Sequence, residues 1–253
     1  MMINNYFLFL ESKDPSEEPK FVSHCFFFTL HAHHLGIIPS IQRYHQRLRA
    51  IKELQRMVDE LNNTKSRWEQ TTAARRNKLA RDRWVNRIKK LTKAKNTIDI
   101  VILNPNLNRN CIQFYSSVCE YVLHLMEGRT KIEGPFINKI QPNLLKPTDE
   151  FSALPVWYIE DIADFLLFCL QHRVEVIVDY MDQSIITWLL SLICAQHLVK
   201  NPYLTAKLVE ILFVTSPTIQ QTTQKVYNMV SWNEIIGLKF QNKMNVFYYY
   251  FRL

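Results

Sequence analysis

The sequence predicts an all-α chain, a partial stack of helices of the α-solenoid type. Three observations carry this. Only 4 of the 253 residues are glycine, whereas antiparallel sheets consume glycine in their turns. Apolar residues recur at spacings of three and four along most of the chain. Helix start and stop signals interrupt that pattern at short intervals, so successive helices fold back on one another. No sequence repeat of about 34 residues is present. At 47% hydrophobic residues the chain can bury a sizeable core in one or two domains.

Taken in order, residues 1–20 are a polar lead-in. Within it Ser16-Glu17-Glu18-Pro19 starts a helix, with carboxylates where the helix dipole favours them. A first helix is expected over 18–35, ending at Gly36, a residue type that accepts the left-handed conformation of a helix end. Pro39-Ser40 restarts the chain with Ser as N-cap. A second helix over 40–61 places Tyr44, Leu48, Ile51, Leu54, Val58 and Leu61 on one stripe. Residues 62–73 read as a polar connection. A third helix over 75–95 is mostly charged, with a thin stripe of Ala80, Trp84, Ile88 and Leu91. After the turn at Asn104-Pro105-Asn106, a fourth helix over 107–127 closes at Gly128, and residues 129–150 read as an irregular loop rich in Pro and Gly. Helices follow over 156–171 and 182–198. Asn201-Pro202, an N-cap with Pro at the first helical position, opens another over 202–215. The last is expected over 218–230. Residues 231–253 are aromatic and Asn-rich, without sustained helical period. Leu48, Ile51, Leu54, Phe165, Leu166, Leu208 and Ile211 are the expected core.

Charge is uneven. Residues 41–95 hold 17 Lys and Arg against 5 Asp and Glu, a balance of +12, and the remainder holds 14 against 18. Such asymmetry marks an electrostatic partner surface. Five cysteines, at 25, 111, 119, 169 and 194, lie among apolar residues with no Cys-x-x-Cys. That pattern argues against a disulfide framework or zinc finger and fits a reducing compartment. The uncharged stretches 21–42 and 183–199 carry polar side chains throughout and read as buried helices, so no membrane is expected as partner.

Each candidate site has a plain alternative. His24, His31 and His34 fall near one helical face with His33 opposite, a spacing that can bind zinc. No Cys or carboxylate completes a set, and interhelical histidines explain them. Glu160, Asp161 and Asp164 form an acidic cluster capable of acid–base work. They also occupy the first turns of a helix, where the dipole and interhelical salt bridges account for them. Lys207 and Glu210 read as a solvated pair. The strongest candidate is the basic helix. Arg75, Arg76, Lys78, Arg81, Arg83, Arg87, Lys89 and Lys90, with Trp84 interleaved, suit nucleic acid phosphates or an acidic protein surface. A solvated helix face explains them as well, and no nucleic-acid motif supports the first reading. No Gly-rich phosphate loop, Ser/His/Asp arrangement or Cys/His pair is present, so no catalytic residue, metal or cofactor is expected.

Three stretches carry a family resemblance. They are CFFFTLHAHHLGIIPS with the following RLRAIKELQRMVDELNN, then LPVWYIEDIADFLLF at 154–168, then NPYLTAKLVEILF at 201–213 with the Ser-Pro break and the Thr-Gln-Lys of 223–225. In this order and spacing they resemble the core of the ubiquitin conjugation factors of the fourth, chain-elongating class (E-four, the Ufd-two-like proteins), over about residues 21–230. The resemblance implies an elongated, armadillo-like protein of the cytoplasm and nucleus that extends ubiquitin chains in ubiquitin-dependent degradation, including that of proteins from the endoplasmic reticulum. It implies a C-terminal U-box that recruits a ubiquitin-conjugating enzyme. The further implied partners are ubiquitinated substrates, a segregase AAA ATPase and the ubiquitin-like domains of shuttle factors. No U-box is legible here, so the chain is expected to be an interior fragment of the scaffold, inactive alone, with 231–253 outside the family pattern.

Overall fold

The structure is a computed structural model that describes residues 20–127, 148–195 and 197–215. Every regular element among them is helical. The chain divides into two compact units, Phe27–Asn104 in one and Met1–Phe26 with Pro105–Leu253 in the other.

The first described helix, α1 (Phe21–Ala32), does not end at Gly36. It passes through a π-helical turn, His33–Ile37, straight into α2 (Ile38–Asn63). The expected break is therefore a splice, for a definable reason. Pro39 has no N–H and its ring would clash with the carbonyl four residues back in a regular helix. The π turn lengthens the repeat there: the Ile38 N–H donates to the His33 carbonyl, five residues back. Pro39 then falls in the first turn of α2, where a missing N–H is tolerated. Ser40 is no N-cap. Its hydroxyl donates back to the Gly36 carbonyl at 2.7 Å.

In the unit Phe27–Asn104, α2 packs along α4 (Ala74–Ile102). The pairing is antiparallel. Near the start of α2, Arg47 Nη1 donates to the Ala94 carbonyl at 3.0 Å and the Lys95 ammonium lies 5.7 Å above the Tyr44 ring. At the far end, short α3 (Lys65–Trp68) turns the chain. Trp68 is buried there and its indole N–H donates to the Leu61 carbonyl at 3.0 Å. The polar connection expected over 62–73 thus holds an aromatic anchor. The seam carries the expected stripes, yet Leu48, Ile51 and Leu54 are half-buried rather than buried, as are Ala80, Trp84, Ile88 and Leu91. Two helices alone cover only one flank of each seam residue. α4 runs on past Lys95 to Ile102, because Ile98 extends the seam and Lys95 pairs with Asp99 one turn on.

The other unit contains α5 (Pro105–Glu127), α6 (Asp149–Ala153), α7 (Trp157–His172), α8 (Val174–Tyr180), α9 (Gln183–Cys194) and α10 (Pro202–Thr215). α5 packs on α6, α8 and α9, and α7 packs on α8 and α10. Tyr115, Phe165, Phe168 and Trp188 are fully buried between them, and Leu166, Leu208 and Ile211 join the core as expected. Asp182 caps α9 by accepting the Ile185 N–H at 3.2 Å. Thr148 caps α6 by accepting from Phe151, and its hydroxyl donates to the Leu125 carbonyl at 2.6 Å. Two expectations change here. α8 forms between the helices expected over 156–171 and 182–198, where no helix is expected. α9 stops at Cys194 rather than 198, since Ala195 leaves helical geometry and a turn follows. The helix expected over 218–230 lies outside the described residues, as does most of the loop expected over 129–150; the last residues of that loop, Asp149 and Glu150, are not loop but the first turn of α6, capped by Thr148.

By length and apolar content Phe21–Asn63 is the described helix that could cross a membrane, and α8 with α9, bent by 102°, reach that length only jointly. The apolar part of the first, residues 21–42, is not the buried helix expected: Leu30, Ile38 and Ile41 are buried, whereas Phe21, Val22, Phe28 and Leu35 are exposed. From Arg43 the helix is charged and packs on α4.

Candidate functional site

α4 presents the strongest accumulation of one charge on the described surface. Arg75, Arg76, Lys78, Arg83, Arg87, Lys89 and Lys90 are exposed along it. Arg81 is half-buried and pairs with Asp82 at 3.0 Å. Lys78 lies 4.0 Å from Glu69, which also pairs with Lys65 at 3.3 Å. Trp84 is half-buried on the seam. The sequence grouped these nine residues as one surface; the helix separates them. Arg81 and Trp84 belong to its inner half. Arg76, Arg83, Arg87 and Lys90, at intervals of seven, four and three, form a line along one flank of the helix, beside the seam. Leu79, 50% exposed, stands in that line. Its position off the Ala80–Trp84–Ile88–Leu91 stripe is the sequence signal of that exposure.

Between α2 and α4, Lys95 bridges Asp99 and the Tyr44 ring. Burial first, then the Asp99 carboxylate, push the Tyr44 hydroxyl above its ordinary range, and Lys95 opposes them. Neutral Tyr44 is thus secure as the partner of that cation.

The acidic cluster separates too. Glu160 accepts from Asn201 at 3.2 Å. Asp164 receives the Lys207 ammonium at 2.6 Å. Asp161 is buried, and Tyr115 beside it is pushed well above its ordinary range by burial first and by Asp161 next. Glu160 and Asp164 thus join α7 to the start and the second turn of α10, the interhelical role foreseen for them. Lys207 does not pair with Glu210 as expected. It turns inward to Asp164.

Of the histidines, His31 Nδ1 lies 3.0 Å from the Phe27 carbonyl, and burial lowers the pKa of His33. No group of three or more His, Cys, Asp or Glu that could hold a metal occurs among the described residues. Cys111, Cys119 and Cys169 are buried, and Cys25 and Cys194 are exposed. Burial pushes the Cys111 thiol up to about 12 and raises Cys119 and Cys169 as well.

Fold and surface first define a class: an all-helical protein with a basic helix face. Comparison with known proteins then narrows it. The family model of the ubiquitin elongating factor core matches residues 3–248, and the chain belongs to that family. The match reaches further at both ends than the stretch 21–230 marked by the motifs. The chain is 24% identical over 212 residues to ubiquitin conjugation factor E4 ufd-2 of Caenorhabditis elegans, covering 81% of this chain and 20% of that protein. It is 22% identical over 202 residues to ubiquitin conjugation factor E4 of Schizosaccharomyces pombe, covering 80% of this chain and 20% of the relative. The matched region thus spans about one fifth of the length of these relatives. No solved structure matches.

Proposed function

We propose that this chain acts as a scaffold within ubiquitin chain elongation, holding partners in place while other groups carry out the transfer. The observation that supports it is the family match over residues 3–248. The physical role fits an all-helical chain: holding donor and acceptor near one another raises their effective concentration without a catalytic side chain. In this reading the helices form part of an armadillo-like stack in the cytoplasm and nucleus. The partners are those of the family: a ubiquitin-conjugating enzyme reached through a U-box, ubiquitinated substrates, a segregase AAA ATPase and ubiquitin-like domains of shuttle factors.

The test is single-turnover discharge of a ubiquitin-loaded conjugating enzyme onto free lysine, with and without the 253-residue chain. A complete relative serves as positive control. The chain alone should leave the discharge rate at its buffer value. Clear acceleration by the chain would overturn the scaffold reading and return attention to Glu160, Asp161 and α4 as contact sites.

A further inference from the structure

We propose that the exposed basic flank of α4 is a docking surface for an acidic segment of a partner protein. Arg76, Arg83, Arg87 and Lys90 are all exposed and share one side of a single helix. At about 1.5 Å of rise per residue they span roughly 21 Å, the length of some four helical turns of an apposed segment. The hairpin's own carboxylates do not neutralise this line. Asp82 goes to Arg81, Asp99 to Lys95, Glu69 to Lys65 and Lys78, and Glu53 to Arg56 at 2.7 Å, while Asp59 accepts from Gln55 at 3.0 Å and the charge of Glu60 acts on Arg56.

Two features decide what kind of anion fits. The tryptophan that would give a nucleic acid a stacking platform, Trp84, is turned into the seam. The side chain that does stand among the cations is aliphatic. Leu79 lies between Arg76 and Arg83 and is 50% exposed. A phosphate backbone has no use for it, whereas a protein surface can cover it while its carboxylates meet the guanidinium forks in pairs. Arginine is also the cation that protein interfaces favour over lysine, and three of the four charges in the line are arginine. The occupant is therefore a protein segment with Asp or Glu at helical spacing around one apolar side chain. This inference does not rest on the ubiquitin reading, and its failure would leave that reading where it stands.

The experiment measures binding of the whole chain to a fluorescent helical peptide of about 20 residues, carrying Glu at i, i+4, i+7 and i+11 and one Leu, at about 0.15 M salt. A single-stranded oligouridylate of equal length and vesicles of phosphatidylcholine with phosphatidylserine are the comparison ligands. The peptide should bind most tightly. Arg83→Glu with Arg87→Glu should weaken it about tenfold or more, since like charges then face each other. Leu79→Ala should weaken the peptide several-fold and leave the oligouridylate unchanged. Lys52→Glu, exposed on α2, should change peptide affinity less than about twofold. Circular dichroism should show every variant as helical as the parent. Tighter binding of the oligouridylate or the vesicles than of the peptide overturns the proposal. So does a doubly reversed variant that binds the peptide as the parent does, or a Lys52→Glu variant that loses as much.

Discussion

Lys207 shows how spacing along one helix misleads at the scale of a residue. Three positions from Glu210, it invites pairing within the turn, but Asp164 on the neighbouring helix lies within 2.6 Å. Choice of partner depends on what packs alongside, which the local sequence does not contain. The pair is about a third exposed on each side, so solvent screens it. A double-mutant cycle of Asp164→Asn and Lys207→Met should give a coupling of up to about 1 kcal/mol. The same cycle with Glu210→Gln and Lys207→Met should give a value indistinguishable from zero; a larger Glu210 coupling would refute the assignment. The cysteines were half legible. Their apolar neighbours indicated free thiols, but only the packing of α5 and α7 separates buried Cys111, Cys119 and Cys169 from exposed Cys25 and Cys194. Because reactivity follows the thiolate and its access, iodoacetamide should modify Cys25 in the native protein and also Cys194, the latter more slowly since partial burial raises the pKa of its thiol. The other three should react only after denaturation. Peptide mapping by mass reads the pattern directly, and early modification of Cys119 would contradict the packing of α5.

At the scale of the element, the helical stripes were the most legible part of the chain. Tyr44, Val58 and Leu208 lie on the faces their periodicity assigned. The ends were less so. Gly36 and Pro39-Ser40 are strong stop and start signals taken singly, but together with the π turn they cancel and the helix continues. A π turn has no sequence signature of its own, since it arises where one repeat must absorb an extra residue. Trp68 and α8 were missed because four- and seven-residue helices are too short to show a period. The splice makes a specific prediction. Gly36 is helical here, and a Cβ at that position would meet nothing within 4 Å. Gly36→Ala should therefore stabilise the protein by about 0.5–1 kcal/mol, read as a rise in the denaturation midpoint. Were Gly36 a left-handed helix end, the same substitution would destabilise instead.

At the scale of the molecule, the two units differ in how completely they exclude water. α5, α7 and α9 surround side chains with no measurable exposure, among them Ile112, Ile162 and Trp188, while the seam of α2 and α4 is half-buried along most of its length. Opening free energy follows such burial. Native-state hydrogen exchange should therefore protect amides of 159–168 and 185–192 at least about tenfold longer than those of 48–54 and 84–91. Equal protection throughout would mean that the two units unfold as one. The basic face was legible as composition, but its division into an exposed flank and a half-buried seam depended on which side of α4 meets α2. The continuous helix from Phe21 to Asn63 also bears on how the gene can be cut. Asn104–Pro105 is a turn and a natural place for a cloning boundary. The other boundary between the units, Phe26–Phe27, falls inside α1. A piece begun there, or at the inviting Gly36, would start in mid-helix with a turn of amide groups stripped of their partners. Expression of the hairpin alone needs a start codon placed before Phe21.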